Sequence, residues 1–235
     1  MRRIIQKIRQ SLPDHRSLKR YFTYALGEIL LIMVGVLLAF QVGNWNENRK
    51  NKKTEIAYYK NIQRQLNDDK KIINFNLAYN NKYWGQFVFA NQLIGENDRS
   101  KMDTLSKISL NLIRYSDFHR ASNIYETIVN SGQIKLLQNQ KIIEDLQRLE
   151  ETYVYINKME SIHLDVIKQI VLPDLIVLMN FSEQTVENPD TLFTTAFQNR
   201  FSLLTDIIRE KNEVYNRAIH EINQINELID TEINY

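Results

Sequence analysis

An unbroken apolar run near the start of the chain limits most strongly what this sequence can fold into. Residues 21–42 read YFTYALGEILLIMVGVLLAFQV, and no charged side chain interrupts the stretch from Ile29 to Phe40. As a helix with a rise of about 1.5 Å per residue, the run matches the thickness of a bilayer's hydrocarbon core. A cleaved signal peptide fits less well, because the basic region before the run is twenty residues long and no A-x-A-like site follows it. The run therefore predicts a transmembrane helix over residues 21–42.

Aromatic and basic residues flank this run on both sides. Tyr21 and Tyr24 stand at one edge and Trp45 at the other, as in the aromatic belts of membrane interfaces. Residues 1–20 contain seven Lys and Arg, against five in residues 43–62. This bias predicts a cytoplasmic N-terminus and a periplasmic C-terminal domain, on the two sides of a bacterial inner membrane. The basic segment is either a helix lying on the anionic inner leaflet or a simple topogenic charge cluster.

Glu28 places a carboxylate inside the apolar run. In hydrocarbon such a charge costs about 3 kcal/mol or more unless it is shallow, paired or protonated. Glu28 therefore either reaches water near the headgroups or points into a helix–helix contact. Residues at alternating spacings of four and three share one face of the helix, and Gly35-x-x-x-Ala39 is a small-xxx-small pair that allows close approach. We expect self-association, or association with another membrane protein, through a packing stripe of Ala25, Glu28, Ile32, Gly35 and Ala39.

Two stretches of the sequence resemble a known family. They are Tyr24-Ala25-x-Gly27-Glu28-Ile29 with Gly35 and Ala39-x-Gln41-x-x-Asn44-Trp45-Asn46-Glu47, and then Tyr125-Glu126 with Ser131-Gly132. Together they resemble an uncharacterised family of bacterial single-pass membrane proteins, a domain of unknown function familiar chiefly from flavobacterial-type genomes. Gly43 departs from the polar residue expected at its position. The resemblance implies a membrane anchor with a helical extracytoplasmic domain, and it implies no activity.

The rest of the chain is patterned as helices. No proline occurs between Asn44 and Gly95, and apolar residues recur there at helical spacing, which predicts a stalk helix over residues 43–95 that continues the transmembrane helix. We expect an all-α chain with a basic segment at 1–20 and an antiparallel helical bundle at 96–235 that packs on the stalk.

Capping residues predict where the shorter helices begin and end. Asp103 is expected as the N-cap of the helix that follows a turn at residues 95–98. A short helix near Asn123 is expected to stop at Ser131-Gly132, where glycine suits a left-handed cap.

Two long helices are expected to complete the bundle. Pro173 should kink or end the first, because proline lacks an N–H donor and crowds the preceding turn. Residues 180–190, which include Pro189, read as a loop, and the last helix has one apolar face that is interrupted at Lys211. The four-three seam of the first helix consists of Ile142, Leu146, Leu149, Tyr153, Ile156, Glu160, His163, Ile167 and Ile170.

Residue types that support catalysis are sparse. The chain has no Cys, which excludes disulfides, thiolate metal sites and cysteine nucleophiles, and its six Gly form no phosphate-binding loop. Glu160-x-x-His163 has the spacing of a helical di-metal site, but such a site needs the motif twice and two further carboxylates, and no second copy exists. We expect neither a metal site nor a cofactor, and no enzymatic activity.

Aromatic residues cluster around the predicted tip of the stalk, Tyr83 and Trp84 among them. They either pack the distal end of the bundle or form a patch for a partner or ligand. Tyr83, Trp84, Glu160 and His163 are the candidate residues for such a patch. The net charge of +2 gives no reason to expect nucleic acid as a partner.

The sequence leaves three classes of function. The leading hypothesis is a non-enzymatic, membrane-anchored interaction or scaffold protein of the cell envelope, oligomeric through its transmembrane helix. The second is an extracytoplasmic sensing bundle that binds a small ligand and signals through a membrane partner. An enzyme is the least supported, because the sequence offers no catalytic constellation.

Overall fold

The structure, a computed structural model, describes residues 15–120 and 123–234, without the side chains of residues 15–21 and of Ile124. The predicted basic segment therefore lies largely outside the described residues, as does the side chain of Tyr21. The chain divides into two compact units, one that ends at Thr54 and another that begins at Glu55.

The first unit contains the apolar run, which is helical throughout. It belongs to helix α1, His15–Gly95. None of its most apolar stretch is buried. Leu31 is 76% exposed and Phe40 is 66% exposed. The helix is thus long and apolar enough to cross a membrane, and its side chains find no cover within the unit.

The second unit is almost entirely helical, which confirms the all-α prediction. It contains α1 from residue 55 onward, a 3-10 turn before α2, and a short antiparallel hairpin where a loop was expected. In the hairpin, Met179 pairs with Val186 and Asn180 with Thr185. The further elements are α2 Met102–Ser109, α3 Ile124–Asn130, α4 Gln140–Val166, α5 Leu172–Leu178, β1 Met179–Asn180, β2 Thr185–Val186 and α6 Thr195–Asn234.

Local capping follows the sequence at one predicted helix end and departs from it at another. The Asn123 side chain accepts a hydrogen bond from the Glu126 amide at 3.0 Å, and Gly132 adopts a φ of 70° after α3, as predicted. The prediction that Asp103 is an N-cap is wrong. A 3-10 turn capped by Asp98 leads directly into α2, so Asp103 lies in the first turn of the helix. There the negative charge of Asp103 still interacts favourably with the helix dipole.

Helices α1, α4 and α6 form a three-helix bundle. Hydrogen bonds from α1 to α6 join Gln63 to Asp230 and Asn80 to Asn212, so these two helices run antiparallel. Between α1 and α4, Tyr59 accepts a hydrogen bond from the amide of Asn139, the N-cap of α4, and Asp69 accepts one from Tyr153. The residue numbers of the bonded partners therefore increase together along the two helices. Helix α4 is therefore parallel to α1, because residues 96–139 carry the chain back before α4 begins.

A π-helical segment, Ile167–Val171, separates α4 from α5. Pro173 follows it and cannot donate the α-helical hydrogen bond to the carbonyl four residues earlier, so the distortion falls just before the proline. The wider turn shifts the register of the buried face by one residue. Ile170, predicted in the seam, is 44% exposed, whereas Val171 is fully buried. The prediction for Ile170 is therefore wrong, while the eight seam residues before it are buried.

The apolar core of the bundle consists of two clusters. One contains Tyr59 and Ile73 of α1, Ile156 of α4 and Tyr215 of α6. The other contains Phe87 and Leu93 of α1, Ile167 after α4 and Ile208 of α6. On each helix the two clusters leave a short interval between them, and that interval carries polar side chains.

Candidate functional site: a buried polar layer

Six buried polar residues fill the interval between the two apolar clusters, and the hydroxyl of Tyr215, a member of the first cluster, joins them. All have an exposed fraction of 5% or less, and they come from α1, from residues 114–120, from α4 and from α6. Buried polar groups must find hydrogen-bond partners to offset their lost hydration. This set, called the polar layer below, consists of Asn76, Asn80, Ser116, Glu160, His163, Lys211 and Tyr215.

Lys211 is the central cation of the polar layer. Its side chain is 1% exposed, and its Nζ donates to both the carbonyl and the hydroxyl oxygen of Ser116 at 2.9 Å. Nζ also lies 3.4 Å from Nδ1 of His163. Burial lowers the pKa of Lys211 to about 8, and the negative charges of Glu160 and Asp117 oppose this shift. Lys211 therefore remains mainly protonated at neutral pH.

Glu160 is the acidic member of the polar layer. Its Oε1 accepts a hydrogen bond from the hydroxyl of Tyr215, and its Oε2 has no hydrogen-bond partner among the described residues. Burial raises the pKa of Glu160, while the Tyr215 hydroxyl, the Phe118 backbone amide and Lys211 favour the ionised form. One carboxyl oxygen of Glu160 therefore has a hydrogen-bond donor, and the other has none among the described residues.

His163 is neutral in this environment. Burial lowers its pKa to about 3, and the positive charge of Lys211 lowers it further. Because a lysine ammonium can only donate, Nδ1 of His163 accepts and the ring proton lies on Nε2. Nε2 has no hydrogen-bond partner within the described part of the chain, and the ring edge packs on Tyr115 at a centroid distance of 6.4 Å.

The asparagines complete the network on the α1 side. Asn80 accepts from the Ser116 hydroxyl at 2.8 Å and donates to Asn212 at 2.9 Å. Asn76 donates to the backbone carbonyl of Asp117 at 3.0 Å. Together with Lys211, these bonds fix residues 114–120 against the helices of the bundle, so the polar layer acts as a clamp on that connection.

Two further tyrosine–carboxylate pairs lie along the bundle. Tyr59 donates to Glu55 at 3.0 Å, and Tyr153 donates to Asp69 at 3.1 Å. Burial raises the pKa of Asp69 to about 6. Glu55 also accepts from the backbone amide of Gln138 at 2.7 Å. The first pair lies on α1 and contacts the connection before α4 through Gln138, and the second pair joins α1 to α4. Both repeat the hydroxyl-to-carboxylate hydrogen bond of Tyr215 and Glu160.

A cavity of about 290 Å³ opens beside the polar layer. Tyr115, Asp117 and His119 line it from the extended segment, where alternate side chains point the same way, while Ser116 and Phe118 are buried. Helix α4 contributes a second wall at helical spacing, including Asn157, Glu160 and Ser161. Glu160 therefore belongs to both the polar layer and the cavity.

The structure separates the four residues of the candidate partner or ligand patch. Glu160 and His163 are 4% and 0% exposed and belong to the polar layer. Tyr83 is partly buried against the cluster around Phe87, with ring centroids 6.4 Å apart. Trp84 is 38% exposed. Tyr83 accordingly packs against the second cluster, and Glu160 and His163 make their hydrogen bonds inside the bundle.

The membrane-related candidates all lie in the first unit. Tyr24 and Trp45 are 75% and 66% exposed. A Cβ added at Gly35 would meet no atom within 4 Å. Ala25, Glu28, Ile32 and Ala39 follow along the same helix.

Sequence reasoning missed Lys211, Ser116 and Tyr215 as functional partners. Lys211 was visible only as an interruption of an apolar face, yet a lysine at a core position must be paired and is therefore a signal in itself. Ser116 lies in an extended connection with no periodicity to mark it. The described residues hold no group of three or more His, Asp or Glu that could bind a metal ion.

Residues 28–170 match the Family of unknown function (DUF6090). The chain belongs to this family. The matched range covers more than half of the chain and includes Gly35, Glu160 and His163, whereas Lys211 and Tyr215 lie beyond it. No curated protein and no solved structure matches the chain. Membership of DUF6090, together with the long apolar helix, is compatible with a membrane-anchored protein.

Proposed function

We propose that this DUF6090 protein is a single-pass, membrane-anchored interaction or scaffold protein of the bacterial cell envelope. The observation that carries the proposal is the unburied apolar helix in residues 22–42. Exposed apolar surface on this scale marks a membrane or partner contact, because soluble proteins rarely expose patches of more than a few hundred Å². The span has the length that a bilayer requires. The N-terminus is cytoplasmic and the bundle periplasmic in this proposal, following the bias of basic residues.

Self-association through the packing stripe is the second part of the proposal. Helices in lipid gain contact where small residues let their backbones approach closely, and Gly35 and Ala39 provide such a site. The open space around Gly35 means that a larger residue would fit the isolated helix without a clash. A substitution there therefore reports on contacts between helices rather than on folding.

The test is a membrane two-hybrid assay of the full chain with Gly35→Leu. We expect loss of the association signal, because leucine keeps the helices apart. Gly27→Leu is the matched control, since Gly27 also has no atom near its Cβ position and lies off the stripe. Equal signals from the wild type and Gly35→Leu would remove the stripe from the proposal, and equal loss in both variants would show a general effect on insertion.

An extracytoplasmic sensing module is the second candidate function. The polar layer and its adjoining cavity favour it, because convergent polar groups beside a concave surface are the usual marks of a ligand site. In this candidate, ligand binding alters the clamp on residues 114–120, and a separate membrane protein receives the signal. Ligand-dependent protection of residues 114–120 from hydrogen exchange would support it.

A further inference from the structure

A second and larger cavity, of about 620 Å³, lies between the β1–β2 hairpin and the end of α2. One wall, called the helical wall, is a single face that runs from α2 through the 3-10 turn Leu110–Ile113. The other wall is the hairpin, and the space between them is called the hairpin cavity below. The helical wall carries Lys107, Leu110, Asn111 and Arg114, and the hairpin carries Phe181 and Glu183. The volume is within the range of small-molecule sites.

The fold holds both walls of the hairpin cavity in place. Asn111 donates to Gln86 of α1 at 2.8 Å, which ties the helical wall to the bundle. In the hairpin, the Asn180 side chain accepts hydrogen bonds from the amides of Ser182 and Glu183 at 3.1 and 3.2 Å. A site whose walls are already ordered loses little conformational entropy when a ligand enters. The hairpin cavity is therefore organised before any ligand binds.

The two cations of the hairpin cavity have no carboxylate partner. Neither Lys107 nor Arg114 forms an ion pair or a side-chain hydrogen bond with another residue that the structure describes. Glu183 lines the same cavity and pairs with neither of them. Two positive charges thus face one negative charge, and none of the three is neutralised by direct contact. This balance favours an anionic ligand.

Apolar surface lies beside these charges. The ring of Phe181 lines the cavity and is 43% exposed. Leu110 and Ile113 line the cavity from the other side and rest on the second apolar cluster. Apolar walls with a few convergent polar groups are the usual composition of a site for a small organic molecule. The apolar and the charged residues come from different elements, and they point independently to a ligand that has both an apolar and an anionic part.

We propose that the hairpin cavity binds a small aromatic carboxylate. Arg114 offers a carboxylate two parallel N–H donors, and Lys107 adds a second positive charge. The ring of the ligand packs on Phe181, since aromatic pairs gain from offset or edge contacts. An inorganic anion would leave the apolar wall in water, and an organic cation would meet two like charges. The hairpin cavity shares no lining residue with the cavity beside the polar layer, so this proposal goes beyond both candidate functions.

The test is isothermal titration calorimetry of the detergent-solubilised full chain with sodium hydrocinnamate at neutral pH. Protein-free micelles titrated in the same way supply the blank for partition into detergent. We expect saturable binding of hydrocinnamate, and none of sodium acetate or phenethylamine hydrochloride, which lack the ring and the carboxylate respectively. Absence of saturable hydrocinnamate binding would overturn the proposal, and so would an equal response to acetate or phenethylamine.

Variants with opposite expected effects then locate the site. Arg114→Gln should weaken hydrocinnamate binding about tenfold, because it removes the charged donors. Phe181→Ala should weaken binding about fivefold through loss of the ring contact. Glu183→Gln should strengthen binding about threefold, because it removes the one negative charge that repels the carboxylate.

Lys101→Gln is the matched control for these variants. Lys101 is an exposed basic residue that directly precedes α2 and does not line the hairpin cavity, so this variant should bind like the wild type. Arg114 and Glu183 are exposed as well, so their substitution leaves the core intact. Wild-type affinity in Arg114→Gln would contradict the proposal, as would weaker binding in Glu183→Gln.

Discussion

The ammonium group of Lys211 donates to both the carbonyl and the hydroxyl oxygen of Ser116, each at 2.9 Å, across 95 positions of sequence. This pair joins α6 to an extended connection that has no helical hydrogen bonds of its own. Because Glu160 lies nearby as the counter-charge, the contact has both a structural and an electrostatic role. Its removal should therefore affect the whole bundle.

Lys211→Met tests this contact. We expect the free energy of unfolding to fall by about 2–4 kcal/mol, because both oxygens of Ser116 lose their buried donor and Glu160 loses a nearby positive charge. Urea unfolding of the detergent-solubilised full chain, followed by circular dichroism, measures the change. Lys158→Met, on the exposed face of α4, should change the free energy by less than about 0.5 kcal/mol. A loss in Lys211→Met no larger than in this control would refute the central role of the lysine.

His163 predicts an acid-sensitive component of stability. Its pKa is 6.5 in the unfolded chain and about 3 in the fold, so between these values the unfolded state binds more protons. Stability from this group should fall as the pH drops from about 6.5 towards 3, by up to about 1.4 kcal/mol per pH unit. His163→Gln should flatten this slope relative to the wild type in urea titrations at several pH values. The exposed His220→Gln should leave it in place, and a slope unchanged in His163→Gln would argue against a buried neutral imidazole.

Asp69 predicts a pH dependence of stability with the opposite sign over part of that pH range. Its pKa rises from 3.8 in the unfolded chain to about 6 in the fold, so the folded state binds the extra proton and stability falls as the pH rises between these values. Asp69→Asn keeps an acceptor for the Tyr153 hydroxyl and removes this loss, a gain on the order of 2–3 kcal/mol at pH 8 relative to pH 3.5. Asp68→Asn, next in the chain and exposed beside Lys71, is the control. The same pH profile for Asp69→Asn and the wild type would contradict the prediction.

The π-helical register shift gives a pair of substitutions with contrasting effects. Val171→Ala should destabilise the fold by about 1–3 kcal/mol, because it opens a cavity at a fully buried position. Ile170→Ala should cost much less, since Ile170 is 44% exposed. Chemical denaturation of both variants measures the difference. A larger loss in Ile170→Ala would indicate that α4 continues in regular α-helical register up to Pro173.

Periodicity was sufficient to predict the helices and most of their buried faces. The seam from Ile142 to Ile167 follows from spacing alone, because a regular helix repeats its faces at fixed intervals. It fails at Ile170, because a π-helical turn changes the repeat and no pattern in the sequence marks where that turn begins. Pro173 indicates a distortion nearby without fixing its form.

The polar layer was only partly predictable. Glu160 and His163 stand out because they are polar residues in an apolar seam. Lys211 meets Ser116 and His163 from 95 and 48 positions away, and such pairing depends on how the helices run relative to each other. The direction of α4, parallel to α1, depends on the path of the connection between these two helices. The spacing of apolar residues within a helix does not encode that path.

Retention in the membrane is the claim on which the proposed function depends. Alkaline carbonate extraction of native membranes measures it directly, because carbonate releases peripheral proteins and leaves spanning helices in the lipid. We predict that the full chain stays in the membrane pellet after carbonate treatment and enters the supernatant only when detergent is added. Recovery of the intact chain in the carbonate supernatant would contradict the account.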